Sequence, residues 1–196
     1  MIAIVDYGAG NLVSVKKAFD RLGQQSLITS DPAQVASAAK IVLPGVGHFA
    51  STASLIRSGL RSAIAAAIES GVPFLGICVG MQWMFKGSAE SPETQGLGLF
   101  DGECERFPPA VKSPHVGWNS LQIDSSSRLF RGVPSASFVY FTHSFRAPVS
   151  EKTVACCEYG GNFSAAVERD HVFGVQFHPE KSGETGLTLL SNFCAL

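Results

Sequence analysis

The sequence has little charge and no excess of either sign. Over 196 residues, 15 Lys and Arg stand against 16 Asp and Glu, which gives a formal net charge of -1. Nucleic-acid binding requires clustered basic side chains that neutralise phosphates. Because no long basic run is present, nucleic acid is not an expected partner. With 45% hydrophobic residues the chain is globular, and its length fits one domain over residues 1–196.

The sequence also lacks a long uninterrupted apolar run. Its most apolar stretch, residues 60–84, contains charged side chains and is broken by Gly71 and Pro73. Such a stretch does not span a bilayer, so no membrane association is expected. The apolar start, Met1–Val5, has no basic flank typical of a signal peptide. These features predict a cytoplasmic protein.

Cysteines are few and scattered. The five are odd in number and form no Cys-x-x-Cys pair, which argues against a disulfide framework or a zinc site. Adjacent Cys156 and Cys157 would point to opposite faces of a strand, which is poor geometry for a shared metal. The sequence therefore predicts neither a metal nor a cofactor. We interpret four of the cysteines as structural thiols: Cys104, Cys156, Cys157 and Cys194.

Short apolar runs alternate with helical patterns in the first half of the chain. Strands are predicted over residues 2–5, 25–29, 41–43 and 73–77, and helices over 12–22 and 55–70. Buried strands separated by helices indicate a parallel sheet covered on both faces. The second half has short strand-like runs and a last helix over 184–193. The predicted fold class is α/β, with a mostly parallel central sheet flanked by helices and antiparallel additions in the C-terminal half.

The turn Gly76-Ile77-Cys78-Val79-Gly80 lies between a predicted strand and a helical stretch. A tight strand-to-helix turn strains its central residue, and the flanking glycines provide room around it, as in a nucleophile elbow. The helix N-terminus would stabilise a Cys78 thiolate, and the Val79 N–H would point to an oxyanion. The alternative is a buried cysteine in a glycine-rich packing turn.

A second segment, His178-Pro179-Glu180, supplies a candidate base. Pro179 disfavours the α conformation at His178, and residues two apart in an extended segment share a face. Glu180 would then orient the imidazole, as the third member of a catalytic triad. The alternative is an exposed surface loop. Four other histidines compete for the role of base: His48, His115, His143 and His171. For His48 and His143 a binding or packing role is the favoured interpretation, and His171 is interpreted as a solvated residue of a hairpin turn.

The segment GICVGMQ, with FHPE far downstream, resembles the class I (triad) glutamine amidotransferases, which have a flavodoxin-like fold. Further segments resemble, within that class, the glutaminase subunits of imidazole glycerol phosphate synthase. They are DYGAGNL (6–12), PGVGHF (44–49), HVGWN (115–119), YFTHSF (140–145) and PEKSG (179–183). The similarity extends over essentially the whole chain.

This resemblance implies that L-glutamine is hydrolysed to glutamate and ammonia through a Cys78–His178–Glu180 triad. The ammonia would pass through a (β/α)8-barrel cyclase subunit, the expected partner in a heterodimer. There it would form imidazole glycerol phosphate and an aminoimidazole carboxamide ribonucleotide, in histidine biosynthesis.

The resemblance also assigns roles outside the triad. Val46 would donate the second oxyanion hydrogen bond after a peptide flip that Gly45 and Gly47 make sterically easy. The alternative is that PGVG is an ordinary turn. Residues matching those that hold glutamine are Gly47, Gln82, His143 and Ser144. Residues matching the cyclase interface are Asn11, Trp118, Tyr140 and Lys181, although a core position for Trp118 is an open alternative.

Three rival functions remain at this stage. Glutaminases that feed anthranilate, para-aminobenzoate or pyridoxal phosphate synthesis share the triad but lack the DYGAGN and VGWN segments. A stand-alone cysteine hydrolase is the second rival. The third is a non-catalytic binding module, against which the intact triad argues.

Overall fold

A computed structural model describes residues 1–196. The strands are β1 (Ile2–Val5), β2 (Ser26–Thr29), β3 (Lys40–Gly45), β4 (Phe74–Cys78), β5 (Gly87–Ser88), β6 (Glu103–Arg106), β7 (His115–Ser120), β8 (Gln122–Ile123), β9 (Phe138–His143), β10 (Phe145–Arg146), β11 (Thr153–Glu158), β12 (Asn162–Arg169) and β13 (Val172–Val175). The helices are α1 (Leu12–Arg21), α2 (Pro32–Ala36), α3 (Ala53–Arg57), α4 (Leu60–Glu69), α5 (Val79–Gln82) and α6 (Gly183–Ala195). Short 3-10 helices cover Phe49–Thr52 and Pro179–Lys181.

The main sheet has eight strands in the order β2-β1-β3-β4-β13-β12-β11-β8. From β2 to β13 the neighbouring strands are parallel. Strands β12, β11 and β8 then continue the sheet in antiparallel pairs. This arrangement confirms the mostly parallel sheet with antiparallel additions expected from the sequence.

Apolar residues explain why the parallel strands lie in the centre. Every residue of β1, β4 and β13 is buried, because helices cover both faces of the sheet. Helix α1 presents Val15, Ala18 and Phe19 to the core at helical spacing. One cluster of 50 buried hydrophobic residues results. None of the six helices combines the length and hydropathy that a membrane span requires.

The structure differs from the sequence expectation between residues 55 and 70. Two helices, α3 and α4, replace the single helix expected there. They meet at Gly59, whose φ of 79° lies in the left-handed region that ends a helix.

A separate two-stranded sheet was not expected at all over the VGWN segment. Here β7 pairs with β9 in an antiparallel register that sets His115 opposite His143 and Trp118 opposite Tyr140. Since side chains alternate along a strand, the two pairs lie on opposite faces of this sheet. Trp118 is 56% exposed, whereas both histidines are buried.

Candidate active site

Three neighbouring parallel strands place the candidate groups at one edge of the main sheet. Val46 follows β3, Cys78 ends β4, and His178 is the third residue after β13. Strands β3, β4 and β13 are adjacent in the sheet. Because their carboxyl ends share one edge, segments far apart in sequence converge there, as ligand sites in open α/β sheets do.

Cys78 has the strained backbone expected of an elbow. Its φ of 55° and ψ of -110° lie outside the favoured regions for a residue with a side chain. A Cβ on Gly76 would lie 2.6 Å from the Gly80 carbonyl oxygen, and one on Gly80 would overlap the Leu43 carbonyl oxygen. The flanking glycines are therefore required for close packing. Helix α5 is only one turn, so the dipole behind the sulfur is weaker than the sequence suggested.

His178 and Glu180 form a buried pair. His178 Nδ1 lies 2.9 Å from Glu180 Oε1, and the side chains are 2% and 1% exposed. His178 is extended, as Pro179 predicts, but Glu180 belongs to a 3-10 helix and not to an extended segment. The pairing across two residues thus arises from a turn. The backbone N–H of His178 also donates to the Tyr140 carbonyl at 2.9 Å, which connects the candidate base to β9.

The surroundings of His178 favour its protonated form. Burial lowers its pKa, but hydrogen bonds and negative charge from Cys78 and Glu180 outweigh burial and raise the pKa to about 10. His178 Nε2 is buried and forms no aligned hydrogen bond. Such loose geometry between base and nucleophile is common before substrate binds. An imidazolium beside Cys78 is the arrangement that supports a thiolate.

A buried glutamine provides a further side-chain donor near the Cys78 sulfur. Gln176 Nε2 lies 3.7 Å from Sγ, and Gln176 is fully buried. The Thr142 carbonyl oxygen lies 4.0 Å from Sγ on the side of β9. The sulfur is thus enclosed by β9 and by the segment after β13, and Cys78 is only 2% exposed.

The two glycines of the PGVG segment are favoured for different structural reasons: close packing at Gly45 and a positive φ at Gly47. Gly45 is the last residue of β3, and a Cβ there would lie 2.5 Å from Tyr7 Oη and 2.7 Å from Val79 Cβ. Gly47 has a φ of 108° and open space around it. Only Gly47 therefore offers the conformational freedom that the sequence suggested for both. Neither Val46 N–H nor Gly47 N–H donates a hydrogen bond within the chain.

Tyr7, from the DYGAGN segment, lies directly behind this turn. Its hydroxyl is buried and forms no hydrogen bond. Burial, and then the negative charge of Cys78, raise the pKa of the phenol. Tyr7 is thus neutral where its hydroxyl packs against the end of β3.

A cavity of about 220 Å³ opens beside Cys78. It collects candidate residues from several segments; those lining it are Val46, Gly47, Cys78, Val79, Gln82, His143 and Ser144. Gln82 is 2% exposed, and its Nε2 donates to the Phe145 carbonyl at 2.9 Å and to Gln176 Oε1 at 3.1 Å. The glutamine-site prediction thus falls on one continuous wall.

Glu90 is a lining residue that sequence reasoning missed. It is the one charged side chain on the cavity wall, and its Oε2 accepts the Phe49 N–H at 2.7 Å. A free amino acid carries an α-ammonium group that pairs well with a carboxylate, and this chemistry alone could have indicated an acidic residue in the site. The local sequence around Glu90 contains no such indication, because Glu90 lies in a loop after Ser88, far from the PGVG segment.

The residues matched to a partner interface lie on the surface beyond the triad. The Trp118 and Tyr140 rings are 6.1 Å apart, and Lys181 Nζ lies 5.7 Å from the centre of the Tyr140 ring. Asn11 is half-buried at the start of α1. Trp118 is thus a surface residue, and the core alternative for it is wrong.

These groups together have the parts needed for acyl transfer. A candidate nucleophile on a strained turn, a candidate base oriented by Glu180 and a helix N-terminus that offers an N–H donor lie at the same edge of the sheet. This arrangement is chemically suited to attack on an amide carbonyl, with a proton supplied to the leaving amine.

Comparison with known sequences supports one family. The family described as glutamine amidotransferase class-I matches residues 3–195. The imidazole glycerol phosphate synthase subunit HisH of Moorella thermoacetica is 47% identical over 195 residues, covering 98% of this chain and 93% of that protein. HisH of Methanothermobacter thermautotrophicus is 47% identical over 194 residues, covering 98% of this chain and 97% of that protein.

Solved structures share the fold. PurLQS from Thermotoga maritima gives a TM-score of 0.77 at 20% identity, covering 99% of this chain and 97% of that chain. A crystal structure described as glutamine amidotransferase gives 0.76 at 18% identity, covering 98% of this chain and 99% of that chain.

The family model and the two HisH relatives confirm the resemblance drawn from the motifs. The chain belongs to the class-I glutamine amidotransferases and, among them, to the HisH subunits of imidazole glycerol phosphate synthase.

Proposed function

We propose that this chain hydrolyses L-glutamine through a Cys78–His178–Glu180 triad and delivers the ammonia to a cyclase subunit. The supporting observation is the convergence of a strained Cys78 and a buried His178–Glu180 pair at the same end of the sheet. The chain is the glutaminase half of imidazole glycerol phosphate synthase.

The first half-reaction forms a thioester. The Cys78 sulfur attacks the side-chain amide carbon of glutamine, and His178 holds the proton that the thiol has lost. Collapse of the tetrahedral intermediate breaks the C–N bond, and the His178 proton passes to the leaving ammonia. Glu180 keeps the imidazole in the orientation and charge state that this transfer requires.

The second half-reaction releases glutamate. A water molecule loses a proton to His178 and attacks the thioester carbon. The C–S bond then breaks, and the proton returns to the Cys78–His178 pair. Both half-reactions pass through an oxyanion. Val79 N–H, at the first position of α5, and Val46 N–H, in the turn after β3, are the proposed donors.

The cavity wall provides partners for the rest of glutamine. Glu90 would pair with the α-ammonium group, because its carboxylate is the wall's charged side chain. Gly47, Gln82, His143 and Ser144 would contact the remaining amino-acid end. Such groups make no new bonds during the reaction, so their loss should raise KM more than it lowers kcat.

The partner would bind where the exposed aromatic residues lie. Trp118 is 56% exposed beside Tyr140, and exposed tryptophans are frequent energetic centres of interfaces. Tyr140 also connects this surface to His178 through its carbonyl. Asn11 and Lys181 complete the proposed interface. We place the complex in the cytoplasm, where the five free cysteines stay reduced.

The test is a glutaminase assay on the chain alone and with a cyclase subunit plus its nucleotide ligand. We expect very low glutamate release alone and strong stimulation in the complex. High activity of the isolated chain would instead indicate a stand-alone hydrolase. The Cys78→Ala variant should form the complex normally and release no glutamate above background. Normal glutamate release by this variant would refute the assignment of the nucleophile.

A further inference from the structure

Two buried histidines face each other behind the wall of the cavity. His115 on β7 and His143 on β9 are register partners, and they are 4% and 6% exposed. His115 Nδ1 lies 3.2 Å from His143 Nε2. His143 lines the cavity, but His115 does not, and the proposed reaction gives His115 no role.

The hydrogen-bond partners fix where the protons lie. His143 Nδ1 is 2.8 Å from the Phe145 carbonyl, which only accepts, so Nδ1 carries the proton. In a neutral ring Nε2 is then an acceptor, and His115 Nδ1 must donate to it. His115 Nε2 in turn accepts from Asn119 Nδ2 at 3.4 Å. The chain of donors therefore runs in one direction, from Asn119 through both rings to Phe145, and requires both rings to be neutral.

Aromatic neighbours and burial keep the two rings uncharged. His115 stacks on Tyr159, with centroids 4.0 Å apart, and Phe107 lies 5.0 Å from the His143 ring. Burial lowers the pKa of His115 to about 4. Burial also lowers the pKa of His143 to about 3. The hydrogen bond to the Phe145 carbonyl opposes this shift, and the positive charges of His178 and Arg146 add to it.

The Phe145 carbonyl joins this pair to the glutamine wall. It accepts from His143 and also from Gln82 Nε2, at 2.9 Å. Gln82 donates as well to Gln176, which donates to the Cys78 sulfur at 3.7 Å. A continuous set of hydrogen bonds thus extends from the VGWN segment to the nucleophile.

We infer that His115 is a positioning residue for glutamine: by donating to His143 it fixes the Phe145 carbonyl and, through it, the Gln82 amide on the cavity wall. The inference rests on the proposed function, because it assumes that glutamine occupies this cavity. His115 itself touches no reacting atom. Its loss should therefore loosen the bound amino-acid end and leave the Cys78–His178 chemistry nearly unchanged.

The experiment compares His115→Phe with His115→Asn in the complex with the cyclase subunit. Phe keeps the ring stacking but removes the donor, whereas the Asn amide places a donor near the position of Nδ1. We expect His115→Phe to raise KM for glutamine about tenfold, with kcat within about twofold of the parent. His115→Asn should recover most of the lost affinity. The matched control is His171→Phe, since His171 Nε2 also contacts a backbone carbonyl, that of Ile68 at 2.7 Å, away from the cavity.

Nitrogen-15 NMR of the imidazole rings in the unmodified complex is a second test, and it does not depend on whether a variant folds. At pH 7 both rings should carry a proton on Nδ1 and none on Nε2. A charged ring, or a proton on His143 Nε2, would overturn the inference. So would an unchanged KM in a folded His115→Phe complex. If instead the unmodified complex releases no glutamate, the proposed function fails, and the NMR result still reports on the histidine pair.

Discussion

Gly45 and Val79 pack so closely that a Cβ on residue 45 would lie 2.7 Å from the Val79 Cβ. The same atom would lie 2.5 Å from Tyr7 Oη and 2.9 Å from Gly80 N. This contact joins the end of β3 to the turn that carries Cys78. The two proposed oxyanion donors, Val46 and Val79, therefore sit on segments whose spacing depends on the missing side chain at Gly45.

A Gly45→Ala substitution should push these two segments apart. We expect the free energy of unfolding to fall by about 1–3 kcal/mol, the usual range for overpacking. Because the oxyanion donors shift, kcat in the complex should fall at least about tenfold. Urea denaturation and the glutaminase assay measure the two effects.

Gly87→Ala is the control for Gly45→Ala. A Cβ at Gly87 would have its nearest neighbours at 3.7 Å, an ordinary contact, and its φ is not positive. It should leave both stability and activity near the parent values. If Gly45→Ala and Gly87→Ala had the same unfolding free energy and the same kcat, the close packing of Gly45 against Val79 would not matter for stability or activity.

The strain at Cys78 predicts a reversal of the usual order of alanine and glycine. Cys78 has a φ of 55°, which glycine adopts freely and alanine does not. Cys78→Gly should therefore be more stable to urea than Cys78→Ala, by about 1–2 kcal/mol. Both variants should lack glutaminase activity.

Cys156 provides the opposite case. It lies in β11 without a positive φ, where glycine weakens a strand. Cys156→Gly should thus be less stable than Cys156→Ala. If glycine is the less stable replacement at both positions, the elbow at Cys78 is not strained in solution.

Local patterns predicted the central strands, and they also pointed to Cys78, His178 and Glu180, which the structure places at one edge of the sheet. The runs that form β1, β3 and β4 are apolar because both faces of the sheet are covered, and this pattern is visible without any partner strand. The turn around Cys78 was also visible, because strain and close packing require glycine at fixed positions. The sequence did not reveal the break between α3 and α4, where Gly59 interrupts an otherwise helical pattern.

Features that depend on contacts distant in sequence were missed. His115 and His143, 28 residues apart in sequence, are brought together by the register of β7 on β9, which periodicity does not encode. Glu90 reaches the cavity through a bond to Phe49, 41 residues away. The close packing that requires glycine at position 45 involves Tyr7 and Val79, which are distant from it in sequence. Motifs thus predicted the candidate nucleophile and base, whereas the other residues of the cavity wall are brought together by tertiary packing.

Removing the Glu180 charge should change how stability depends on pH. The folded-state pKa of His178, about 10, lies above its ordinary value of 6.5. Its contribution is therefore complete below about pH 6.5 and is lost as pH rises through about 10, with a slope of at most about 1.4 kcal/mol per pH unit. In Glu180→Gln one cause of the raised pKa is gone, so unfolding free energy should fall less steeply between these pH values.

Glu184→Gln is the control for the Glu180 experiment. Glu184 pairs with Arg21, but its side chain is 85% exposed, and such pairs contribute little. Its pH–stability curve should match the parent curve. Parallel curves for all three proteins between pH 6.5 and 10 would mean that Glu180 does not hold the charge on His178.

The charge of Glu90 should matter for binding glutamine rather than for the chemical steps. In Glu90→Gln the side-chain oxygen still accepts the Phe49 N–H, now 2.7 Å from Glu90 Oε2, so the loop keeps its anchor. The partner for the α-ammonium group is lost, however, and hydrogen bonds to charged groups are worth about 1.5–3 kcal/mol. We therefore expect KM for glutamine to rise by roughly 10- to 100-fold, with kcat changed by less than about threefold. Steady-state kinetics in the complex measure both values.

The control is Glu103→Gln, which changes an exposed glutamate outside the cavity wall and should behave like the parent. A fall in kcat at unchanged KM would place Glu90 in the reaction itself, because the loss of a residue that only binds the amino-acid end lowers the affinity for substrate and leaves the thioester chemistry intact.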